Sequence, residues 1–167
     1  MNNNKKIILV GAGYWGTNIA QNLVKLKKQI FTYDLDKKKT NVIKKRFPKN
    51  IKIIRNLEKT IKDQNFRYII FATPPSKNYK LIQLALKNKK KIFIEKPGFK
   101  NLREIQAIKK EFKEESKNIT FGYIYLFNNY IHYIKKFLEK KTNGKILYIK
   151  FQRQNLGPIR NDVDVSY

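Results

Sequence analysis

The first 120 residues alternate short apolar runs with amphipathic segments, and this alternation limits the possible folds more than any other feature. Five continuous apolar runs are typical of strands that are buried on both faces: residues 6–10, 30–33, 51–54, 67–72 and 91–94. The segments between them carry apolar residues at helical spacing, such as Ile19, Leu23 and Leu26. Because crossovers between parallel strands are right-handed, the pattern predicts a doubly wound parallel α/β sheet.

Capping residues predict where several helices begin. Asp36 and Asn56 precede the helical segments that follow the second and third strands. Ser76 is expected to cap the helix after the fourth strand. Asn101 and Glu104 have the spacing of a capping box at the start of the next helix.

The pattern changes after about residue 120. We expect a strand over 119–127, a helix over 128–140 and a long strand over 145–155. One strand–helix–strand is too small to bury a core of its own. We therefore predict a first domain over 1–120 and the incomplete start of a second domain over 121–167.

The composition excludes some classes of protein. With no cysteine and one histidine, the chain has no disulfide framework and no cysteine-based metal site, and we predict no metal. No apolar run approaches the ~20 residues that span a bilayer, so we expect no membrane partner and a cytoplasmic location. The net charge of +26 could indicate a nucleic-acid partner, but lysine far outnumbers arginine and is spread over every segment. Compositional bias with solvated faces is the favoured interpretation.

The segment "GAGYWG" directly follows the first strand and opens the first helix. Gly11, Gly13 and Gly16 match the G-x-G-x-x-G pattern, in which glycines allow a tight turn, close approach of a pyrophosphate and close helix packing. The helix N-terminus supplies unpaired N–H groups for the anion. We expect Tyr14 and Trp15, which lie inside this loop, to contact the cofactor as well. The alternative is a tight turn with an ordinary helix cap.

Asp34 ends the second strand, 23 residues after Gly11. A carboxylate at this place can accept hydrogen bonds from the ribose hydroxyls of a dinucleotide and would repel a 2′-phosphate. The sequence therefore favours NAD over NADP, although residues 37–39 are three lysines that could soften this preference.

Two further segments end strands at the same predicted edge of the sheet. Thr73, Pro74 and Pro75 would form a rigid loop where ligands of open α/β sheets bind, or simply the start of a helix. "EKPG" ends the fifth strand and brings Glu95 and Lys96 to the same edge. A lysine beside a bound nicotinamide could hydrogen-bond a substrate hydroxyl and stabilise its developing negative charge.

The segments "GAGYWG", "FATPPS" and "IFIEKPGFKN", in this order and at this spacing, resemble the Gfo/Idh/MocA oxidoreductases. The segment "FGYIYLFNN" resembles the entry to that family's second domain, and residues 144–167 resemble the domain's first long strand, most closely in members that act on nucleotide sugars. The resemblance implies a Rossmann-type fold and hydride transfer between NAD(H) and a hydroxyl of a sugar, nucleotide sugar or cyclitol.

The resemblance also assigns roles to residues. It makes Lys96 the catalytic, substrate-side lysine, places Glu95 by the nicotinamide, and has the glycine loop, Asp34 and the Thr-Pro-Pro loop hold the cofactor. Family members often carry histidine at the position of Asn78, which we count among the cofactor-binding residues, and many carry histidine near Tyr123.

Family members run to more than 300 residues and are often homo-oligomers, so the chain resembles a truncated member. The segment that usually supplies a catalytic histidine is missing, and His132 lies on a predicted helix instead. We therefore expect the 167-residue form to be inactive or incomplete as an enzyme.

Two other functions stay open. A non-catalytic dinucleotide-binding module would need the same glycines but not Lys96. A basic nucleic-acid-binding protein is the weaker alternative, because the aromatic strand around Phe121 lacks the basic residue that RNA-recognition strands carry before their glycine.

Overall fold

The computed structural model describes residues 6–140, 142, 144–152 and 154. Six strands form a single parallel sheet: β1 (Lys6–Val10), β2 (Ile30–Tyr33), β3 (Ile51–Ile53), β4 (Phe66–Phe71), β5 (Lys91–Ile94) and β6 (Ile119–Phe121). Their order across the sheet is β3-β2-β1-β4-β5-β6. The chain winds outward from β1 to β3 and then returns to place β4 on the other side of β1, which confirms the doubly wound fold.

Helices connect the strands and cover both faces of the sheet. They are α1 (Tyr14–Lys25), α2 (Lys37–Arg46), α3 (Leu57–Lys62), α4 (Tyr79–Lys87), α5 (Leu102–Glu111) and α6 (Asn129–Glu139). Three of the predicted caps are confirmed, because the side chains of Asp36, Asn56 and Asn101 accept hydrogen bonds from backbone N–H groups in the first turns of α2, α3 and α5. Such caps satisfy helix N–H groups that have no partner within the helix.

The apolar core lies on both sides of the sheet, which explains why the strands are continuously apolar. In β1, Ile8 and Val10 belong to one buried cluster and Leu9 to the other. The first cluster includes residues of α3, α4 and α5, and the second includes residues of α1 and α2. Successive side chains of a strand point to opposite faces, so a sheet covered by helices on both faces needs apolar residues at every position.

The predicted cap at Ser76 is wrong. Residues Pro75–Lys77 form a 3₁₀ turn, and Asn78, not Ser76, precedes α4. The carbonyl groups of Pro74 and Pro75 accept hydrogen bonds from the N–H groups of Lys77 and Asn78. The two prolines therefore begin a tighter turn than the pattern suggested, and the α-helix starts later.

The predicted strand over 119–127 is shorter than expected. The N–H group of Gly122 still donates to Ile94, the last residue of β5, but that of Tyr123 turns back to the carbonyl of Phe121. Because β5 ends at Ile94, residues beyond Gly122 have no strand to pair with, and Ile124–Phe127 form a 3₁₀ helix instead.

The described residues form two compact units that divide between Ile124 and Tyr125, and the domain boundary at 120/121 stays a prediction. Helix α6 confirms the helix predicted over 128–140. The strand predicted over 145–155 is wrong for residues 145–152 and 154, which form no strand, and residues 153 and 155 lie outside the described residues. A strand forms only with a partner for its backbone groups, and none pairs with this segment within the described part of the chain.

Among the described residues, no helix combines the length and apolar character needed to cross a membrane.

Thr32 provides a test of the core. It is completely buried in β2, and within the described part of the chain its hydroxyl has no hydrogen-bond partner. We expect Thr32→Val to raise the free energy of unfolding by about 1 kcal/mol in urea denaturation, because it removes an unpaired buried hydroxyl and keeps the branched shape.

The matched control is Thr40→Val, since Thr40 is also buried but its hydroxyl donates to the Lys37 carbonyl at 2.9 Å. That change should lower the free energy of unfolding by about 1 kcal/mol. A loss of stability in Thr32→Val equal to that in Thr40→Val would contradict an unpaired hydroxyl at Thr32.

Candidate dinucleotide-binding site

The glycine loop between β1 and α1 is packed so closely that two of its glycines have no room for a side chain. Gly11 has a φ of +97°, and a Cβ added there would overlap the carbonyl oxygen of Ala72. A Cβ on Gly16 would overlap the carbonyl oxygen of Gly11. Both residues are therefore required by the approach of α1 to the ends of β1 and β4.

Gly13 differs from its two neighbours in the motif. Its φ is −73°, and a Cβ added there would meet no atom within 4 Å in the described part of the chain. Gly13 precedes α1 and has no side chain to cap it, so the first-turn N–H groups and the positive end of the helix dipole face open space. The arrangement fits a pyrophosphate, which needs this space and these donors.

Asp34 lies directly against the glycine loop. Its Oδ2 accepts a hydrogen bond from the N–H of Ala12 at 2.8 Å, and its Oδ1 accepts one from the N–H of Asp36 at 2.9 Å. The two backbone amides fix the orientation of the carboxylate, and each oxygen keeps a lone pair for a further donor. Asp34 thus has the geometry to bind ribose hydroxyls beside the pyrophosphate site.

The loop that follows β4 is joined to the turn that follows β5 by one side chain. Asn78 is completely buried, its Oδ1 accepts a hydrogen bond from the hydroxyl of Thr73, and its Nδ2 donates to the carbonyl of Gly98 at 2.9 Å. The sequence predicts that Asn78 contacts the cofactor, which stays a prediction; in the structure both ends of its amide are bonded to the protein.

The turn after β5 carries Glu95 and Lys96, and the peptide bond between Lys96 and Pro97 is cis. The N–H of Glu95 donates to the carbonyl of Phe71 at 3.0 Å, which fixes the start of the turn to the end of β4. Lys96 is exposed, so its ammonium group is available to a ligand.

The carboxylate of Glu95 lies against Gly122, at the end of β6. A Cβ on Gly122 would lie 3.0 Å from the ring of Phe93 and 3.1 Å from Oε1 of Glu95, so a side chain there would make both neighbours shift by a few tenths of an ångström. Burial raises the pKa of Glu95 above its ordinary value, while the charge of Lys96 acts in the opposite direction. No sequence pattern indicated this contact, because Gly122 is distant in the chain and only the pairing of β5 with β6 brings it close.

The structure brings the predicted segments to one edge of the sheet. Backbone hydrogen bonds join Gly11 to Tyr33 and Ala72 to Val10, so the loops after β1, β2 and β4 are neighbours. The bond from Glu95 to Phe71 adds the turn after β5 to the same edge. Among the predicted cofactor contacts, the side chains of Tyr14 and Trp15 are 78% and 50% exposed and pack edge to face.

Other candidate chemistry is not found among the described residues. They contain no group of three or more histidine, cysteine, aspartate or glutamate side chains that could hold a metal ion. His132 lies on α6, as predicted, and its Nε2 is 2.6 Å from the carbonyl oxygen of Leu126. Since a carbonyl can only accept, Nε2 carries the proton, and the bond ties the first turn of α6 to the preceding 3₁₀ helix.

A glycine loop that opens a helix, an acidic residue at the end of β2 and ligand-accessible loops after β4 and β5 define a dinucleotide-binding Rossmann domain. Residues 5–123 match the oxidoreductase family Gfo/Idh/MocA, described by its NAD-binding Rossmann fold. The match spans more than half of the chain, and the chain therefore belongs to this family of NAD-dependent oxidoreductases. No curated protein matches the sequence.

Solved structures of this fold are similar over about four fifths of the chain. Myo-inositol dehydrogenase from Lactobacillus casei, in complex with NAD(H) and myo-inositol, has a TM-score of 0.74 and 20% identity, with 81% of this chain and 41% of that chain covered. GenD2 from gentamicin A biosynthesis, in complex with NAD, has a TM-score of 0.72 and 15% identity, with 83% and 40% covered.

Biliverdin reductase from Synechocystis sp. PCC 6803, in complex with biliverdin and NADP+, has a TM-score of 0.66 and 16% identity, with 79% of this chain and 42% of that chain covered. At these identities the similarities establish the fold. The chain spans about two fifths of the length of each of the three proteins.

Alanine substitutions should distinguish Gly13, which leaves space for a ligand, from Gly16, which is needed for close packing. We expect Gly13→Ala to change the free energy of unfolding little, because the added methyl group meets open space. It should nevertheless weaken NADH binding about tenfold, because the methyl group would occupy part of the pyrophosphate site. Urea unfolding and fluorescence titration of the same protein measure the two effects.

The control is Gly16→Ala, which should lower the free energy of unfolding by about 1–3 kcal/mol through overpacking against Gly11. Equal destabilisation by the two substitutions would contradict the different surroundings of the two glycines.

The raised pKa of Glu95 predicts a pH-dependent cost to stability. Below the ordinary pKa of a glutamate the side chain is neutral in both folded and unfolded chains, and burial then carries no charge penalty. As the pH rises through the folded-state pKa, the half-buried carboxylate becomes charged and stability falls. We therefore expect Glu95→Gln to be more stable than the unmodified chain at pH 7–8, with an advantage that shrinks below about pH 4.

Urea unfolding of both proteins across this pH range would test the direction in which their stability difference changes with pH. If the stability advantage of Glu95→Gln grows toward acidic pH, burial is not the main influence on the pKa of Glu95.

Proposed function

We propose that this chain is the cofactor-binding part of an oxidoreductase that transfers a hydride between NAD(H) and a hydroxyl-bearing carbon of a sugar, nucleotide sugar or cyclitol. The observation that carries the proposal is the meeting of the glycine loop, Asp34, the Thr73 loop and Lys96 at one edge of the sheet. Membership of the oxidoreductase family supports the same assignment.

The cofactor site is proposed to use the chain as follows. The N–H groups at the start of α1 bind the pyrophosphate over Gly13, and Asp34 accepts hydrogen bonds from the adenosine ribose hydroxyls. Tyr14, Trp15 and residues Thr73 to Pro75 contact the rest of the cofactor. Because Asp34 is an anion held in place by two backbone amides, a 2′-phosphate would be repelled, and NAD is preferred over NADP.

Bound NAD supplies the acceptor for a hydride from the carbon that carries the substrate hydroxyl. Lys96, which is exposed at the same edge, would hydrogen-bond that hydroxyl and stabilise the negative charge on its oxygen as the proton leaves. The half-buried Glu95 next to it would lie by the nicotinamide and hold the backbone of the turn in place through its contact with Gly122. The proton acceptor is not assigned to a residue of this chain.

The proposed substrate class rests on two observations. Family neighbours include dehydrogenases crystallised with myo-inositol and with scyllo-inositol, both cyclic polyols. The sequence of the C-terminal segment resembles members that act on nucleotide sugars. This chain covers 41% of the length of each of the two inositol dehydrogenases.

A dinucleotide-binding module without turnover is the second candidate. It is favoured by the location of every proposed cofactor contact within the first compact unit, Met1–Ile124. Lys96 distinguishes the two functions in a longer protein that includes this chain and a substrate domain. There Lys96→Met should abolish sugar-dependent reduction of NAD if the protein is a dehydrogenase, and it should leave NADH affinity unchanged if the protein is a binding module.

NADH titration is the direct test, because the only tryptophan, Trp15, lies in the glycine loop. We expect saturable energy transfer from Trp15 to the reduced nicotinamide, with weaker binding of NADPH. Asp34→Asn should weaken NADH binding about tenfold or more, since charge-assisted hydrogen bonds contribute about 1.5–3 kcal/mol. Asp34→Asn should also reduce the difference in binding affinity between NADH and NADPH, because the negative charge that repels the 2′-phosphate is removed.

The matched control is Asp36→Asn, two residues away. Asp36 caps α2 through the N–H of Lys38, and asparagine caps helices equally well, so NADH affinity should not change. If the folded chain shows no energy transfer, or if both substitutions weaken NADH binding equally, the proposed site is wrong.

A further inference from the structure

Asn78 is a buried polar residue whose side chain does not serve the helix that it precedes. It lies between the 3₁₀ turn Pro75–Lys77 and α4, where asparagine usually caps a helix through its side chain. Here the side chain makes no cap, although the backbone carbonyl of Asn78 accepts a hydrogen bond from the N–H of Ile82 at 2.9 Å. The amide group is therefore free to point away from α4, and it is completely buried.

The amide of Asn78 joins two loops that are distant in the sequence. Its Oδ1 accepts the hydrogen bond of the Thr73 hydroxyl, and its Nδ2 donates to the carbonyl of Gly98 at 2.9 Å. Thr73 belongs to the loop after β4, which is proposed to contact the cofactor. Gly98 belongs to the turn after β5, two residues beyond Lys96.

The chemistry of the two partners requires a side chain that donates toward Gly98 and accepts from Thr73, which the amide of Asn78 does in one orientation. The carbonyl of Gly98 can only accept, so a donor must face it, and the Thr73 hydroxyl can then donate to the oxygen. A carboxylate would place a second acceptor against Gly98, and an apolar side chain would leave both partners unpaired in the interior. Leaving a buried polar group unpaired costs more free energy than a surface hydrogen bond contributes. Folded conformations that keep both hydrogen bonds of the Asn78 amide are therefore strongly favoured over those that break one.

The turn that contains Gly98 is also held on its other side. A Cβ on Gly98 would lie 2.7 Å from the ring of Phe121, which packs against Phe99 with ring centroids 6.1 Å apart. The turn is thus confined between the amide of Asn78 and the aromatic rings. Loss of the amide would leave the bond from the N–H of Glu95 to the carbonyl of Phe71 as the other described hydrogen bond between the two segments, and that bond lies at the start of the turn rather than at Gly98.

We propose that Asn78 is a positioning residue that couples the cofactor-contacting loop Thr73–Pro75 to the turn that carries Lys96. The inference rests on the proposed function for the identity of the cofactor, but the coupling is a property of the free chain. Through Asn78, a change in the conformation of one loop alters the conformation of the other. Cofactor binding at Thr73 therefore helps to hold the turn that carries Lys96 in place. Asn78 acts without touching the cofactor itself.

Hydrogen–deuterium exchange with mass spectrometry tests the coupling in the absence of any ligand. At pH 8 we expect Asn78→Asp to increase amide exchange about tenfold both in residues 71–77 and in residues 95–100. The more informative variant is Thr73→Val, which alters only the loop after β4. It should also increase exchange in residues 95–100, although position 73 lies 25 residues from Gly98.

Lys90→Met is the matched control for loss of a buried hydrogen bond. Lys90 is 2% exposed and donates to the carbonyl of Asp63 at 2.8 Å, just before β5 and therefore at the opposite edge of the sheet. The Lys90→Met substitution should lower the free energy of unfolding without changing amide exchange in residues 95–100. If Thr73→Val also leaves exchange in residues 95–100 unchanged, the coupling is refuted, and this variant decides the matter even if Asn78→Asp does not fold.

NADH titration by energy transfer from Trp15 gives the second readout. We expect Asn78→Asp to weaken NADH binding about tenfold under conditions where the variant is fully folded, whereas Lys90→Met should leave the affinity unchanged. Unchanged affinity in folded Asn78→Asp would overturn a positioning role toward the cofactor. If the unmodified chain does not bind NADH, the proposed function fails, while the exchange experiment still supports or refutes the coupling.

Discussion

The close approach of α1 to the ends of β1 and β4 is the packing constraint on which the proposed site depends. It is possible only because Gly16 lies against the carbonyl of Gly11, and Gly11 against the carbonyl of Ala72. This contact places the N-terminus of α1 at the carboxyl edge of the sheet, where the Ala12 amide reaches Asp34. A larger residue at either glycine would move the helix away, and the pyrophosphate donors and the ribose acceptor would no longer be neighbours.

The sequence predicts those parts of the fold that depend on local patterns. The five apolar runs and the caps at Asp36, Asn56 and Asn101 were interpreted correctly, because burial on both faces and helix capping leave local signatures. The helix start near Ser76 was wrong because two consecutive prolines favour a 3₁₀ turn. The strand predicted over 145–155 was wrong for the described residues because a strand also needs a partner, which apolar content does not supply.

In the candidate site too, some features are predictable from local sequence patterns and others depend on contacts that form only in the folded chain. The glycine motif and Asp34 could be found from spacing alone, since the loop and the end of β2 have fixed positions in this topology. The bridge made by Asn78 and the contact of Glu95 with Gly122 could not, because their partners are brought together only by the folded sheet. Burial likewise distinguishes Asn78, whose amide is bonded within the protein, from Lys96, which is exposed.

The charge of the chain fits the proposed cofactor without requiring a nucleic-acid partner. A net charge of +26 attracts any anion, including a dinucleotide, and speeds its encounter with the protein. Selectivity must come from fixed groups within the site, and in the proposed function Asp34, held by two backbone amides, would repel a 2′-phosphate. General attraction together with local repulsion would give the proposed preference for NAD in a strongly basic chain.

Chemical-shift mapping by NMR of the ¹⁵N-labelled chain with NAD tests the central claim most directly, because it locates the ligand residue by residue. We expect saturable shifts at the amides of Gly13, Trp15, Asp34, Thr73 and Lys96, all at the carboxyl edge of the sheet. The amides of Lys90 and Lys91, at the opposite edge, should not shift. Shifts concentrated at the opposite edge, or spread over the lysine-rich surface and abolished by moderate salt, would contradict a dinucleotide site at the glycine loop.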